Sequence, residues 1–307
     1  MNSPTYILCP GQGAQIVGMG RDFYDGSAIA RETFDTANDV VGFDLKSLCF
    51  TGPEDKLNQT DISQPAIYTT SVAAFRAAAA LAVVDPAAVT AFAGLSLGEY
   101  TALHLAGAFT FEDGLKLVAA RGRLMQQAAV ATPSGMVALI GADEAAALKI
   151  CDEARGDDVL VPANFNAPGQ IVVSGSAAAC ERVLKIAETS EFRATALKVA
   201  GAFHSPLMQP AADRLKIELD AVQFSPPTTP VYSNVTAELH ADPATIKSLL
   251  LQQLVSPVRW EQTMKSLIAN GGQTPRFVEL APNRHLAGLA KRINRRLPIE
   301  SLEKMPG

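Results

Sequence analysis

No run in this 307-residue sequence approaches the ~18 uninterrupted apolar residues that a membrane span requires, so no membrane association is expected. The first residues, Met-Asn-Ser-Pro-Thr-Tyr-Ile-Leu-Cys-Pro, lack a basic region followed by an apolar stretch long enough for a signal peptide. There is no excess of basic charge: the formal net charge is −5, which excludes an overall footprint for nucleic acid and leaves an acidic partner dependent on a local basic patch. Cysteine is sparse. Cys9, Cys49, Cys151 and Cys180 lie far apart without any C-x-x-C spacing, which argues for free thiols in a reducing compartment and against a disulfide framework or a zinc site. A cytoplasmic protein is expected. What is abundant is apolar residue: 48% hydrophobic against 19% charged is the balance of a chain with a substantial core and no disorder.

The chain is organised around Gly94-Leu95-Ser96-Leu97-Gly98. An Ala- and Val-rich run leads in from Val83, and a helical Ala/Leu pattern leads out from Leu97. G-x-S-x-G between a strand and a helix is the spacing of a nucleophile elbow, which holds the serine hydroxyl on a strained corner. The flanking glycines allow a backbone approach that a Cβ would block. Upstream, Tyr6–Cys9 reads as a buried strand broken by Pro10-Gly11-Gln12-Gly13. The glycine pattern there is G-x-G-x-x-x-x-G, and no acidic residue ends a second strand, so a dinucleotide site is not indicated. A tight turn, or a loop whose amides approach a substrate oxyanion, fits better.

Strand, helices, strand, elbow and helix are the rhythm of an α/β domain with a mainly parallel sheet. Gln64-Pro65 opens an Ala-rich helix to about Leu81, and Phe111 opens another that carries Arg121. From Gly135 the order becomes βαββαβ, with strands at 136–140, 159–164, 170–174 and 194–199, the ferredoxin-like signature. The expected organisation is an α/β-hydrolase-like large subdomain (residues 1–129 and 201–307) with an inserted ferredoxin-like small subdomain (residues 130–200). Phe277–Leu280 reads as the last sheet strand, followed by a closing helix over Leu286–Arg296.

A serine nucleophile needs a base, and there are four histidines. His104 lies two helical turns beyond the elbow, ~10 Å along the axis and too far to touch Ser96. His240, within Glu238-Leu239-His240-Ala241-Asp242, is expected to be solvated, and His285 to be a first-turn residue of the last helix. His204 follows Gly201-Ala202-Phe203 in an irregular loop at a subdomain junction, where catalytic side chains are commonly displayed. Arg121 sits in Ala119-Ala120-Arg121-Gly122-Arg123; apolar neighbours and a glycine suit a partly buried guanidinium, whose fork matches a carboxylate.

Six motifs then occur in one order: Gly11-Gln12-Gly13-Ala14-Gln15, Gly94–Tyr100, Arg121–Gln126, Asn164–Gln170, Phe203-His204-Ser205 and Ser256–Trp260. With them the chain resembles the malonyl-CoA:acyl-carrier-protein transacylases, relatives of polyketide synthase acyltransferase domains. The resemblance implies a ping-pong acyl transfer with Ser96 as nucleophile and His204 as base and then acid. It implies an oxyanion hole from the amides of Gln12 and Leu97, and a histidine held by the backbone carbonyl of Gln253. Arg121 would pair with the malonyl carboxylate, Gln64 and Asn164 would line the pocket, and Phe203 would disfavour an α-methyl group. Malonyl-CoA and an acidic acyl carrier protein are the implied partners of a monomer, without metal or redox cofactor. Arg123, Lys198, Arg284, Lys291 and Arg292 are candidates for a local basic patch. The chain departs from the family in having Leu95 where histidine is usual, and Ala281-Pro282-Asn283 where Gly-Pro-Gly is usual. A discrete polyketide acyltransferase, an acyl hydrolase and a non-catalytic carrier-binding module are the alternatives.

Overall fold

Tyr6, Ile7, Leu8 and Cys9 alternate between two hydrophobic clusters, as a strand covered on both faces must. In the computed structural model, which describes residues 3–306, eight strands are present. They are β1 (Thr5–Cys9), β2 (Val89–Gly94), β3 (Ser134–Ile140), β4 (Leu160–Ala167), β5 (Gln170–Ser176), β6 (Arg193–Ala196), β7 (Arg276–Leu280) and β8 (Ile299–Leu302). The first sheet has the order β2-β1-β7-β8 and every pair in it is parallel. Ile7, Cys9, Phe92, Val278 and Leu280 face one cluster; Tyr6, Leu8, Ala91, Ala93 and Phe277 face the other. Register places Cys9 beside Gly94 and Leu8 beside Glu279, so the loops that leave β1, β2 and β7 emerge together at the carboxyl edge. That edge is where open α/β sheets bind their ligands.

The second sheet, β4-β5-β3-β6, is antiparallel. One face, with Val137, Leu139, Ile171 and Val173, is covered by the helices Glu144–Arg155 and Ala177–Ala187. The opposite face carries Met136, Ala138 and Val172 and roofs a cleft above the parallel sheet. The architecture is mixed α/β, with a parallel sheet and a separate antiparallel one.

Three elements depart from the sequence reading. The helix expected to open at Gln64-Pro65 spans Thr60–Ala80, because Pro65 forfeits a single backbone bond in a helix buried along most of its length. The sheet does not end at Phe277–Leu280: β8 adds a four-residue edge strand too short to show a period. Val231-Tyr232-Ser233-Asn234, which the sequence reads as a short strand, forms only isolated bridges, Val231 with Phe92 and Tyr232 with Leu239.

The elbow glycines are there for space. A Cβ on Gly94 would stand 1.9 Å from the carbonyl carbon of Gly98, and one on Gly98 would stand 2.0 Å from the carbonyl oxygen of Cys9. Neither backbone neighbour can yield without parting the helix Leu97–Leu105 from the sheet. Gly98→Ala is therefore expected to destabilise the fold by about 3 kcal/mol, read as a lowered denaturant midpoint.

Candidate active site

Ser96 ends the β2 turn with φ 53° and ψ −104°, a left-handed backbone that costs a side chain strain. His204, 108 residues away, also has a positive φ of 58°. Among the described residues only four non-glycine positions have positive φ, and two of them face each other here, as strain held at a functional site would. Ser96 Oγ lies 2.8 Å from His204 Nε2, and His204 Nδ1 lies 2.7 Å from the backbone carbonyl of Gln253. A carbonyl only accepts, so Nδ1 carries the hydrogen and Nε2 keeps a lone pair for the serine proton. Burial, and then the charge of Arg121, push the His204 pKa from 6.5 to about 4. Acylation of the free enzyme should therefore stay level as pH falls through 6.5 and drop only near about 4, where imidazolium forms. Single-turnover rates at subsaturating substrate between pH 4 and 8 measure this; a fall centred near ~6.5 would show an unperturbed base.

Arg121 is 1% exposed and reaches the site from the helix Phe111–Ala131. Gly122 permits it: a Cβ there would be 2.6 Å from the Thr60 carbonyl oxygen, so the two long helices meet closely at this point. The guanidinium donates to Gln64 Oε1 at 2.7 Å, Ser96 Oγ at 3.0 Å and Gln253 Oε1 at 3.0 Å, and lies over the Tyr100 ring at 5.5 Å. All of these partners are neutral, and no carboxylate makes an ion pair with it among the described residues. Burial pulls its pKa down.

In front of Ser96 opens a cleft of about 520 Å³ between the two sheets, walled by Gln12, Asn164, Phe203, Leu95 and His204 among others. Leu95 belongs to the hydrophobic cluster that also holds Tyr6, Leu8 and Trp260, so the place of the family's usual histidine is taken by an apolar wall. The amides of Gln12 and Leu97 find no acceptor among the described residues. Asn283, in the turn that departs from Gly-Pro-Gly, donates through Nδ2 to the Ala14 carbonyl at 2.7 Å and so ties down the loop that bears Gln12. Of the basic candidates, Lys198 lines the cleft, Arg123 and Arg284 reach Glu218 and Glu303, and Lys291 and Arg292 are exposed.

His240 is not solvated. The bridge between Tyr232 and Leu239 turns it inward, where its side chain has no exposure and Nε2 lies 2.7 Å from Glu99 Oε1. Sequence reasoning also passed over Asn234, whose Oδ1 accepts the Ser96 amide at 2.6 Å and whose Nδ2 donates to Gly94 O at 2.7 Å. Its only signal in the sequence is a polar residue ending an apolar run. His104 points into an aromatic group with Tyr68 and Phe111, bonded to Phe109 O at 3.0 Å.

A strained serine with a histidine on its hydroxyl, a buried cation beside it and an open polar cleft in front mark an acyl-transferring enzyme. The family model described as acyl transferase domain matches residues 5–302. The chain belongs to this family, among the malonyl CoA-acyl carrier protein transacylases. It is 41% identical over 297 residues to the malonyl CoA-acyl carrier protein transacylase of Bacillus subtilis, covering 96% of this chain and 92% of that one. The solved structure of the malonyl CoA-acyl carrier protein transacylase from Coxiella burnetii superposes with a TM-score of 0.94 at 39% identity, over 99% of this chain and 95% of that chain. A malonyl-transacylase solved in complex with a type II polyketide synthase acyl-carrier protein is 36% identical with a TM-score of 0.93, covering 98% and 96%.

Proposed function

We propose that the protein transfers malonyl from malonyl-CoA to the phosphopantetheine thiol of holo acyl carrier protein, in fatty-acid synthesis. The observation that carries the reading is Arg121: a buried cation bonded to neutral acceptors, 3.0 Å from the hydroxyl that would hold the acyl group. A malonyl ester on Ser96 has its free carboxylate three bonds beyond the ester oxygen, close enough to fold back onto that guanidinium. A hydrolase for neutral acyl groups has no use for such a charge.

In the first half-reaction Ser96 Oγ attacks the thioester carbon while His204 Nε2 takes its proton. The oxyanion is held by the amides of Gln12 and Leu97. Collapse breaks the carbon–sulfur bond, and the coenzyme A sulfur leaves with the proton from His204. In the second, the carrier's thiol loses its proton to His204 and attacks the ester, and the same proton returns to Ser96 Oγ. No step needs a metal or redox cofactor. Gln64 and Gln253 fix Arg121, Gln253 orients His204 through its carbonyl, and Asn164 offers a polar contact in the cleft. We read the antiparallel sheet as a ferredoxin-like subdomain over residues 130–200, set into an α/β-hydrolase-like body formed by 1–129 and 201–307. The protein on this reading is a cytoplasmic monomer.

Labelled malonyl-CoA incubated with the protein should leave one covalent label, which holo carrier protein then removes and apo carrier protein does not. Label released to water at the same rate with or without the carrier would instead favour a hydrolase. Phe203 is 5% exposed and lines the cleft; on this reading its ring would crowd an α-methyl group. Phe203→Ala should raise methylmalonyl relative to malonyl acylation by roughly ten-fold, read from competing single turnovers.

A further inference from the structure

One turn beyond Ser96 on the elbow helix, Glu99 is wholly buried and takes no part in the steps above. A carboxylate out of water is tolerated where donors surround it. Three surround this one: Gln253 Nε2 at 2.6 Å, His240 Nε2 at 2.7 Å and the Asn234 amide at 3.0 Å. His240 makes no other side-chain hydrogen bond among the described residues, since its buried Nδ1 has no partner. The imidazole is thus spent on holding Glu99.

We propose that Glu99, braced by His240, is a positioning residue that sets the amide of Gln253 and through it Arg121, so that the preference for a carboxylated acyl group depends on it. The proposal rests on the reading of Arg121 given above. The two ends of the Gln253 amide are alike in shape, and only their partners decide which one meets the guanidinium. Arg121 Nη2 donates and so needs Oε1, while Glu99 accepts and so needs Nε2. Turned over, the amide would set donor against donor at Arg121 and acceptor against acceptor at Glu99. Gln253 Nε2 also donates to Ser96 O at 3.1 Å, and its backbone carbonyl holds His204. Through Asn234 the same carboxylate supports the strained elbow, since that residue bonds the Ser96 amide and the Gly94 carbonyl. One carboxylate therefore reaches nucleophile, base and arginine, each through a single intervening residue.

The test measures single-turnover acylation of Ser96 by malonyl-CoA and by acetyl-CoA in Glu99→Gln, His240→Ala and Arg121→Ala, with melting temperatures recorded alongside. A neutral amide at position 99 can face Gln253 with either end, so Glu99→Gln should lower malonyl acylation by roughly 30-fold and acetyl acylation far less. His240→Ala, which unbraces Glu99 without touching Gln253, should shift the malonyl-to-acetyl ratio the same way by a few-fold, and serves if Glu99→Gln does not fold. A merely structural Glu99 lowers both rates together at constant ratio, and that result overturns the proposal. If Arg121→Ala collapses the ratio while the Glu99 and His240 variants leave it alone, the proposal fails and the reading of Arg121 stands. If Arg121→Ala leaves the ratio unchanged, the reading of Arg121 fails first.

Discussion

Alanine in place of Ser96 removes the covalent acyl adduct and lowers acyl transfer by about four orders of magnitude or more. The size of the effect follows from the geometry. Ser96 Oγ is the one oxygen among the described residues that both reaches His204 Nε2, at 2.8 Å, and receives the Arg121 Nη2 hydrogen, at 3.0 Å. Among the described residues no thiol stands ready to replace it, since the four cysteines are buried and Cys9 lies beneath the elbow against Gly98, its thiol pushed up by burial. A thiolate is the nucleophilic form, so burial keeps that sulfur inert. The change deletes one oxygen from a residue whose backbone is clamped by Asn234, so the fold should survive it. Intact mass after malonyl-CoA treatment, and initial rates with holo carrier protein, read the two losses separately.

Arg121→Ala has the second largest expected effect, and it depends on the acyl group. Loss of one partner from a buried ion pair costs about 3–5 kcal/mol. That is roughly 10² to 5 × 10³ in malonyl acylation rate. An acetyl group presents no carboxylate to the site, so its acylation should fall little and its share of the turnover should rise. The variant also leaves the acceptors Gln64 Oε1 and Gln253 Oε1 without their donor, which will cost some stability. Stability loss alone would lower both acyl groups together, so the ratio of the two rates separates charge recognition from damage.

The parallel sheet and the elbow were legible because their signals are local. A continuous apolar run writes β1, and two glycines that cannot bear a Cβ write the turn around Ser96. His204 and Arg121 were visible as residue types in unusual settings, but their meeting at Ser96 is a product of the fold. The site's inner support was not legible. Glu238-Leu239-His240 is a polar stretch, and nothing local says that one bridge to Tyr232 turns the imidazole onto Glu99. Asn234 likewise gains its role only when β2 and the segment after Pro230 come side by side. Pro65 misled for a related reason, because helix packing outweighs one missing backbone bond. Leu95 and Asn283 show what a departure from a family pattern becomes in three dimensions: an apolar wall in one case, a tether on the Gln12 loop in the other.

A single competition addresses the claim that a buried arginine beside the nucleophile makes Ser96 a holder of malonyl. Wild-type protein and Arg121→Ala are each mixed with equal malonyl-CoA and acetyl-CoA, quenched within one turnover, and the mass of the peptide containing Ser96 is measured. Malonyl on the wild-type peptide and predominantly acetyl on the Arg121→Ala peptide is the expected result. The same malonyl-to-acetyl proportion on both peptides would contradict it.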